Sequence, residues 1–146
     1  MSEWKQTNDL FRKIAVLFLA AYIWTCLDGN AFCQKQGAEE SPGFSRARNL
    51  AGQWVRPDGG YVLVLESIQS DGGMKASYFN PGRINVHESF WRLAEDKLYV
   101  FVELRDVNYP GSKYALSYDE NNDVLTGVYF QAAVQQRFEV YFARSR

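Results

Sequence analysis

The stretch Leu98-Tyr99-Val100-Phe101-Val102-Glu103-Leu104 decides the fold, because aliphatic residues occupy every second position along it. Such alternation places one set of side chains on a buried face of a β-strand and the other set on the opposite face. The same period of two returns at 61–65, 113–118 and 137–142, whereas helical spacing is not sustained after residue 50. The chain from residue 50 onward is therefore predicted to be all-β.

Turn residues separate these runs. Pro, Gly, Asn and Asp cluster between them, where proline presets φ and glycine allows a positive φ. The runs predict eight strands, at 50–56, 61–69, 73–79, 84–93, 97–106, 112–118, 124–131 and 135–143. Connections this short join antiparallel neighbours. We therefore predict an eight-stranded antiparallel up-and-down β-barrel, with a two-sheet sandwich as the alternative.

Composition argues against several classes of function. The 146 residues contain 16 Lys and Arg against 17 Asp and Glu, whereas a nucleic-acid-binding protein normally carries a basic excess. The single histidine, His87, cannot form a multi-histidine zinc site, and Cys26 and Cys33 both precede the strands. Nothing around His87 resembles the nucleophile motif that a Ser-His-Asp triad needs. We predict a protein that is not an enzyme, binds no nucleic acid and uses no cofactor.

The N-terminal segment indicates export. Residues 14–27 form an uncharged run of 14 residues. As a helix this run spans about 21 Å, which is short of the roughly 30 Å hydrocarbon core of a bilayer. Arg12 and Lys13 precede the run, and the small residues Gly29 and Ala31 follow it. This order is typical of a secretory signal peptide, here cleaved after Ala31.

The segment after this run has the composition of a linker. Residues 34–48 combine Gln, Gly, Glu, Ser and Pro with almost no apolar periodicity. We predict a signal peptide over 1–31, a flexible linker over 32–48 and a β-barrel domain over 49–146. The protein would be secreted or periplasmic and would meet the membrane only through its N-terminal segment. An uncleaved membrane anchor is the alternative.

The start of the barrel resembles the calycins, the superfamily of small barrels that includes lipocalins and avidins. Leu50-Ala51-Gly52-Gln53-Trp54 is similar to their G-x-W first-strand signature. In that superfamily the tryptophan plugs one barrel end, and a basic residue near the end of the last strand packs on it. The resemblance implies these structural roles for Trp54 and for Arg144, with Arg146 as the alternative basic residue. The opening is also similar to that of periplasmic metalloprotease inhibitors, whose N-terminal segment enters the protease cleft.

The turns form two chemically different sets. In an up-and-down meander, alternate turns share one end of the barrel. Turns 56–60, 80–85, 105–112 and 131–136 define what we name the distal end, and they are rich in Arg, Asn, Gln, Tyr and Pro. The opposite, proximal end carries both ends of the barrel chain and the short or acidic turns 70–72, 94–96 and 119–123.

The distal end is the predicted ligand mouth, although its turns could also be ordinary hairpins. The candidate ligand-binding residues share hydrogen-bonding or stacking side chains, and they are Tyr78, Asn80, Arg83, Asn85, Arg105, Asn108 and Tyr109. Glu66, Glu103 and Glu139 fall inside strands, where outward solubilising charge is a simpler interpretation than acid–base chemistry. His87 is expected at the surface or as a satisfied histidine.

Two functions stay open. The first is an exported binding module that holds a small, partly apolar ligand at the distal mouth. The second is an interaction or inhibitor protein that docks on an exported partner such as a protease. Outward-facing Tyr99, Phe101 and Tyr141 could form a patch for that partner or for a homo-oligomer. An open lumen would favour the first function, and a lumen filled by side chains would favour the second.

The export hypothesis can be tested at the N-terminus of the mature protein. Protein recovered from the secreted or periplasmic fraction should begin after a residue between about 26 and 33, because signal peptidase removes the preceding segment. Intact mass and N-terminal sequencing measure this. Leu17→Asp, which interrupts the apolar run, should leave the chain unprocessed. A full-length wild-type chain in the cytosol would contradict the prediction.

Overall fold

The computed structural model describes residues 41–145. The predicted signal peptide, residues 32–40 of the predicted linker, and Arg146 lie outside the described residues. The described chain begins with helix α1 (Pro42–Ala47) and a 3₁₀ turn (Arg48–Leu50). It continues as nine strands: β1 (Gly52–Val55), β2 (Val62–Glu66), β3 (Lys75–Asn80), β4 (Gly82–Ile84), β5 (Val86–Ala94), β6 (Lys97–Asp106), β7 (Tyr109–Asp119), β8 (Val124–Gln131) and β9 (Gln136–Arg144).

All nine strands belong to one sheet. Their order is β4-β3-β2-β1-β9-β8-β7-β6-β5, and every neighbouring pair is antiparallel. The two edge strands, β4 and β5, are consecutive in the chain, so the sheet curls into a nearly closed barrel. The prediction of an all-β antiparallel barrel is confirmed. No helix in the described part of the chain is long and apolar enough to cross a membrane.

The additional strand, β4, lies within the predicted turn 80–85, whereas the predicted fourth strand, 84–93, corresponds to β5 from Val86 onward. β4 pairs with β3, whereas β5 pairs with β6. The change of partner occurs at Asn85, whose side-chain amide donates to the Arg105 carbonyl at 3.0 Å. Its backbone N–H donates to the Asp106 carboxylate at 2.8 Å. β4 and β5 thus run in the same direction but pair with different neighbours, which gives nine strands in place of the predicted eight. The distal and proximal turns still lie at opposite ends.

A seam separates β3 from β5. Towards the proximal end two hydrogen bonds bridge this seam. The Trp91 backbone N–H donates to the Gly72 carbonyl and the Ser89 hydroxyl donates to the Met74 carbonyl, both at 2.8 Å. Between this bridge and Asn85 the seam leaves a groove of about 430 Å³, whose lining includes the exposed His87.

The end of the predicted linker is ordered as α1. The Phe44 ring stacks on Trp91, with centroids 6.4 Å apart. Arg46 pairs with Asp96 in the β5–β6 turn and with Glu120 in the β7–β8 turn. These contacts hold α1 across the proximal end, and they are made with residues distant in the sequence. A six-residue helix that is held in this way has too few apolar positions to show a period in the sequence.

Trp54 and Arg144 close the proximal end beneath α1. Trp54 is fully buried, and its indole N–H donates to the Leu50 carbonyl at 3.0 Å. The Arg144 guanidinium carbon lies 4.1 Å from the centroid of the Trp54 ring. Its terminal nitrogens donate to carbonyls just before β1, and its Nε donates to the Asp123 carboxylate at 2.7 Å. The first strand, the last strand and the β7–β8 turn are joined at this point.

Trp54→Ala should lower the free energy of unfolding by about 3–5 kcal/mol, because it removes a buried indole and leaves a cavity. Arg144→Ala should lower it by about 2 kcal/mol through the lost cation–π contact and charged hydrogen bonds. Urea denaturation followed by far-UV circular dichroism measures both. Tyr141→Ala, which removes an exposed outer ring, is the control and should cost less than either. Equal losses for all three variants would contradict the assignment.

Candidate functional site

Tyrosines cross the lumen towards the distal end. Tyr78 on β3 and Tyr114 on β7 are separated by four strands of the sheet, yet their hydroxyl oxygens lie 2.9 Å apart. Arg56, which follows β1, donates to the Tyr114 hydroxyl at 3.3 Å. The Tyr129 ring stacks on Tyr114 with centroids 4.5 Å apart. Tyr78 and Tyr114 are 1% and 0% exposed, so side chains fill the lumen at this level.

Arg56 supplies the charge in this tyrosine cluster. Its Nε and Nη2 donate to the two carboxylate oxygens of Asp58 at 2.8 and 2.6 Å, a bidentate geometry. The hydrogen bonds from Arg56 hold the pKa of Asp58 below its usual value. The guanidinium also lies 4.4 Å from the centroid of the Tyr61 ring. The positive charge of Arg56 is thus compensated within the turn that carries it.

Burial controls the ionisation of the two central tyrosines. It raises the pKa of Tyr114 to about 12, although hydrogen bonds from Tyr78 and Arg56 oppose the shift. Burial also raises the pKa of Tyr78, and the neighbouring Tyr114 adds to the effect. Both hydroxyls are therefore neutral near pH 7, where they act as hydrogen-bonding groups of the core rather than as bases.

Three of the predicted ligand-binding residues meet at the distal end. The Asn80 side-chain amide donates to the Tyr109 hydroxyl at 2.6 Å. The Tyr109 ring meets Tyr78 edge-on, with centroids 6.1 Å apart. These contacts place the half-buried Asn80 and Tyr109 side chains over the tyrosine core at the distal end. Tyr78 is itself a core residue, because its inward position on β3 buries it, and it is inaccessible to a ligand.

The other four predicted residues do not meet inside the barrel. Asn85 is bonded to the end of β6, and Asn108 is exposed in the β6–β7 turn. Arg83 is exposed on β4. Arg105 points to the outside of β6, where its Nε donates to the Glu103 carboxylate at 2.6 Å. The strand alternation accounts for this position, since Arg105 and Glu103 are two residues apart and share a face.

Arg105 and Tyr109 nevertheless line a groove outside the lumen. This rim groove, of about 480 Å³, lies between the β6–β7 and β8–β9 turns, and its lining includes Arg105, Tyr109, Pro110, Lys113, Phe130 and Gln135. A β-bulge between Leu104 and Arg105 shifts the register of β6 against β7. Gly111 has a φ of 92°, a conformation that side-chain-bearing residues rarely adopt. Together these two features shape the wall formed by β7.

Glu103 forms part of the lining of the rim groove and departs from its predicted solvated position. It lies on the outer face of β6 but is 5% exposed. Its Oε1 accepts from Arg105 at 2.6 Å, and its Oε2 lies 3.5 Å from the Lys113 ammonium. Burial opposes ionisation, but the Arg105 hydrogen bond and the Lys113 charge outweigh it and lower the pKa of Glu103. Glu103 is therefore a buried carboxylate held by two cations.

The distal end also carries exposed apolar side chains. Val107 at the tip of the β6–β7 turn is 93% exposed, and Val134 at the tip of the β8–β9 turn is 53% exposed. Phe138, on the strand after that second turn, is 41% exposed. Asp106 and Gln135, the chain neighbours of Val107 and Val134, line the rim groove, so the two apolar tips lie next to it.

The outward aromatic residues predicted as a patch are dispersed. Phe101 stacks on Phe90 with ring centroids 4.8 Å apart, which covers part of both rings. Tyr99 and Tyr141 lie on the same outer face, but β7 and β8 separate their strands. Of the five exposed large apolar side chains among the described residues, three lie at the distal end, and the other two are Leu93 and Tyr141.

No protein-family model, curated protein or solved structure matches this chain. Its resemblance to the calycins therefore rests on the G-x-W motif and the barrel architecture. Within residues 41–145, no group of three or more His, Cys, Asp and Glu residues could hold a metal ion. The chemistry that the described residues offer is hydrogen bonding, ion pairing and apolar contact at the distal end.

The tyrosine cluster predicts a loss of stability at high pH. An unfolded tyrosine ionises at a pKa of about 10, whereas Tyr114 in the folded protein has a pKa of about 12. Since the folded state holds this proton more tightly, the stabilisation is complete below pH 10. The ionisation of Tyr114 should then lower the free energy of unfolding by about 1 kcal/mol per pH unit between pH 10 and 12, and the raised pKa of Tyr78 makes the total fall steeper. Urea denaturation at a series of pH values measures the slope.

A pair of variants identifies the residue responsible for this slope. Tyr114→Phe should flatten the fall, because it removes one of the buried ionisable hydroxyls. Tyr141→Phe removes an exposed hydroxyl on the outer face and should leave the slope unchanged. Equal slopes for the wild type and both variants would contradict the role of Tyr114.

Proposed function

We propose that this protein is an exported β-barrel that acts by docking its distal end on a protein partner. The single observation that carries the proposal is the exposure of Val107, Val134 and Phe138 at one end of a barrel whose lumen is filled. Clustered exposed apolar side chains, rimmed by polar groups, are typical of interaction surfaces. The export of the protein is supported by the N-terminal sequence pattern alone.

The composition of the distal turns supports docking. The connections at 56–61, 81–85, 107–108 and 132–135 contain no Lys or Glu, two of the residue types depleted in protein interfaces, while Asp58, Ala132 and Ala133 belong to types that are also depleted. The same connections supply Arg56, Tyr61, two prolines and three amide side chains. The proximal turns are acidic by comparison, with Asp71, Glu95 and Glu120. This asymmetry favours the distal end as the docking surface.

The distal end is also held in place before any partner arrives. The bidentate Arg56–Asp58 pair orders the β1–β2 turn, and the bond from Asn80 to Tyr109 ties β3 to β7. A preorganised surface loses less conformational entropy when it binds, so a larger share of the contact energy contributes to affinity. The filled lumen serves this role because it gives the turns a rigid base.

Site-specific photo-crosslinking in the native host tests the docking surface. The full chain carries p-benzoylphenylalanine at position 107 or 134, and a third version carries it at the proximal position 122. We expect one discrete crosslinked species from the first two positions and none from the third, because only the distal end would contact the partner. A species at twice the mass of the chain would identify the partner as a second copy.

A second substitution controls for nonspecific capture. In the chain with the crosslinker at 107, Val134→Asp should reduce the crosslinked species several-fold by placing a charge in the apolar contact. Asn122→Asp should leave the yield unchanged. Equal crosslinking at both ends of the barrel, or no species from the distal positions, would overturn the docking proposal.

A further inference from the structure

We propose that the rim groove is a binding site for a small monocarboxylate with an apolar body. The site lies outside the lumen, and its occupation requires no protein partner, so it stands apart from the docking proposal. It includes two of the ligand residues predicted from the sequence, Arg105 and Tyr109.

The carboxylates of the rim groove already have partners within the protein. The two oxygens of Glu103 face Arg105 and Lys113. The two oxygens of Asp106 accept from the backbone N–H groups of Asn85 and Val107, both at 2.8 Å. Formally, Glu103 and Asp106 balance the charges of Arg105 and Lys113. An incoming cation would have to displace an existing partner of a carboxylate, so the groove favours an anion more than this balance indicates.

The cations of the rim groove retain donors for a ligand. Arg105 uses its Nε for Glu103, while its side chain is 58% exposed and keeps Nη1 and Nη2 available. Lys113 reaches Glu103 at 3.5 Å, is 40% exposed and has three donor hydrogens. A guanidinium binds a carboxylate through two parallel hydrogen bonds, which gives both affinity and orientation. The groove thus presents a cationic fork beside an ammonium group.

The remaining lining suits a small apolar body. Pro110 and the Phe130 ring lie in the groove with Tyr109. The volume of about 480 Å³ falls within the roughly 300–1,000 Å³ that is usual for small-ligand sites. Such a site pairs a few placed polar groups with apolar walls. A carboxylate attached to a small ring or a short chain would satisfy both parts at once.

Calorimetric titration of the protein recovered from its host tests the site with three probes of one skeleton. These are 3-phenylpropanoate, the neutral 3-phenylpropan-1-ol and the cationic 3-phenylpropylammonium. We expect the carboxylate to bind at least about tenfold more tightly than either of the others, because only it can accept from Arg105 and Lys113. Raising the salt concentration should weaken its binding. Equal affinity for the acid and the alcohol would overturn the proposal.

Matched variants locate the binding. Arg105→Gln should weaken 3-phenylpropanoate binding about tenfold, and Arg105→Lys, which keeps the charge without the fork, should fall between it and the wild type. Arg83→Gln removes an exposed arginine at the same end, outside the groove lining, and should leave the affinity unchanged. Circular dichroism verifies that each variant is folded. A loss with Arg83→Gln equal to that with Arg105→Gln would overturn the site.

One further measurement distinguishes the docking proposal from the rim-groove proposal. Val134→Asn, which weakens the apolar contact without placing a charge beside the rim groove, should impair docking and still bind 3-phenylpropanoate with more than half of the wild-type affinity. Retained crosslinking together with absent carboxylate binding would overturn the rim-groove site alone. Retained carboxylate binding without crosslinking would overturn docking alone.

Discussion

Closure of the barrel depends on the contact between Trp54 on β1 and Arg144 on β9. A meander becomes a barrel only when its first strand pairs with its last, and here that pairing is short, with two residue pairs in register. The contact between the Trp54 and Arg144 side chains therefore adds to the few backbone hydrogen bonds between β1 and β9. Arg144 covers the indole and extends the closure to Asp123 in the β7–β8 turn. The antiparallel order of the strands separates the turns into two ends, and the closure gathers each set of turns around one end of the barrel.

A barrel closed in this way either fills its lumen with side chains or encloses a cavity. The structure fills it, with Trp54 near the proximal end and the tyrosine cluster near the distal end. Among the described residues, no buried side-chain nitrogen or oxygen lacks a hydrogen-bond partner. The hydroxyls of Tyr78 and Tyr114 hydrogen-bond to each other, whereas an aliphatic core contains no polar group that needs a partner. The interior thus acts as a core, and the groups available for recognition lie outside it.

The sequence predicted what local periodicity controls, and it missed what distant contacts control. Alternation identified the strands, and the parity of the turns separated Val107 and Val134 from the acidic loops. Nothing local predicts α1, because its order comes from contacts with the far side of the proximal end. The switch at Asn85 depends on bonds to β6. A signal for the rim groove was present in the shared face of Glu103 and Arg105, but the shape of its wall depends on the bulge that β7 makes at Gly111.

The difference between the two ends follows from how their charges are used. At the proximal end, Arg46 bridges Asp96 and Glu120, and Arg144 binds Asp123. These pairs join α1, the turns and the last strand, so the charges act within the fold. At the distal end, the carboxylates are satisfied by neighbouring donors, whereas Arg105 keeps terminal nitrogens beside exposed apolar tips. Bonding capacity that the fold does not use is what a ligand or partner can recognise, and Arg105 presents such capacity at the distal rim.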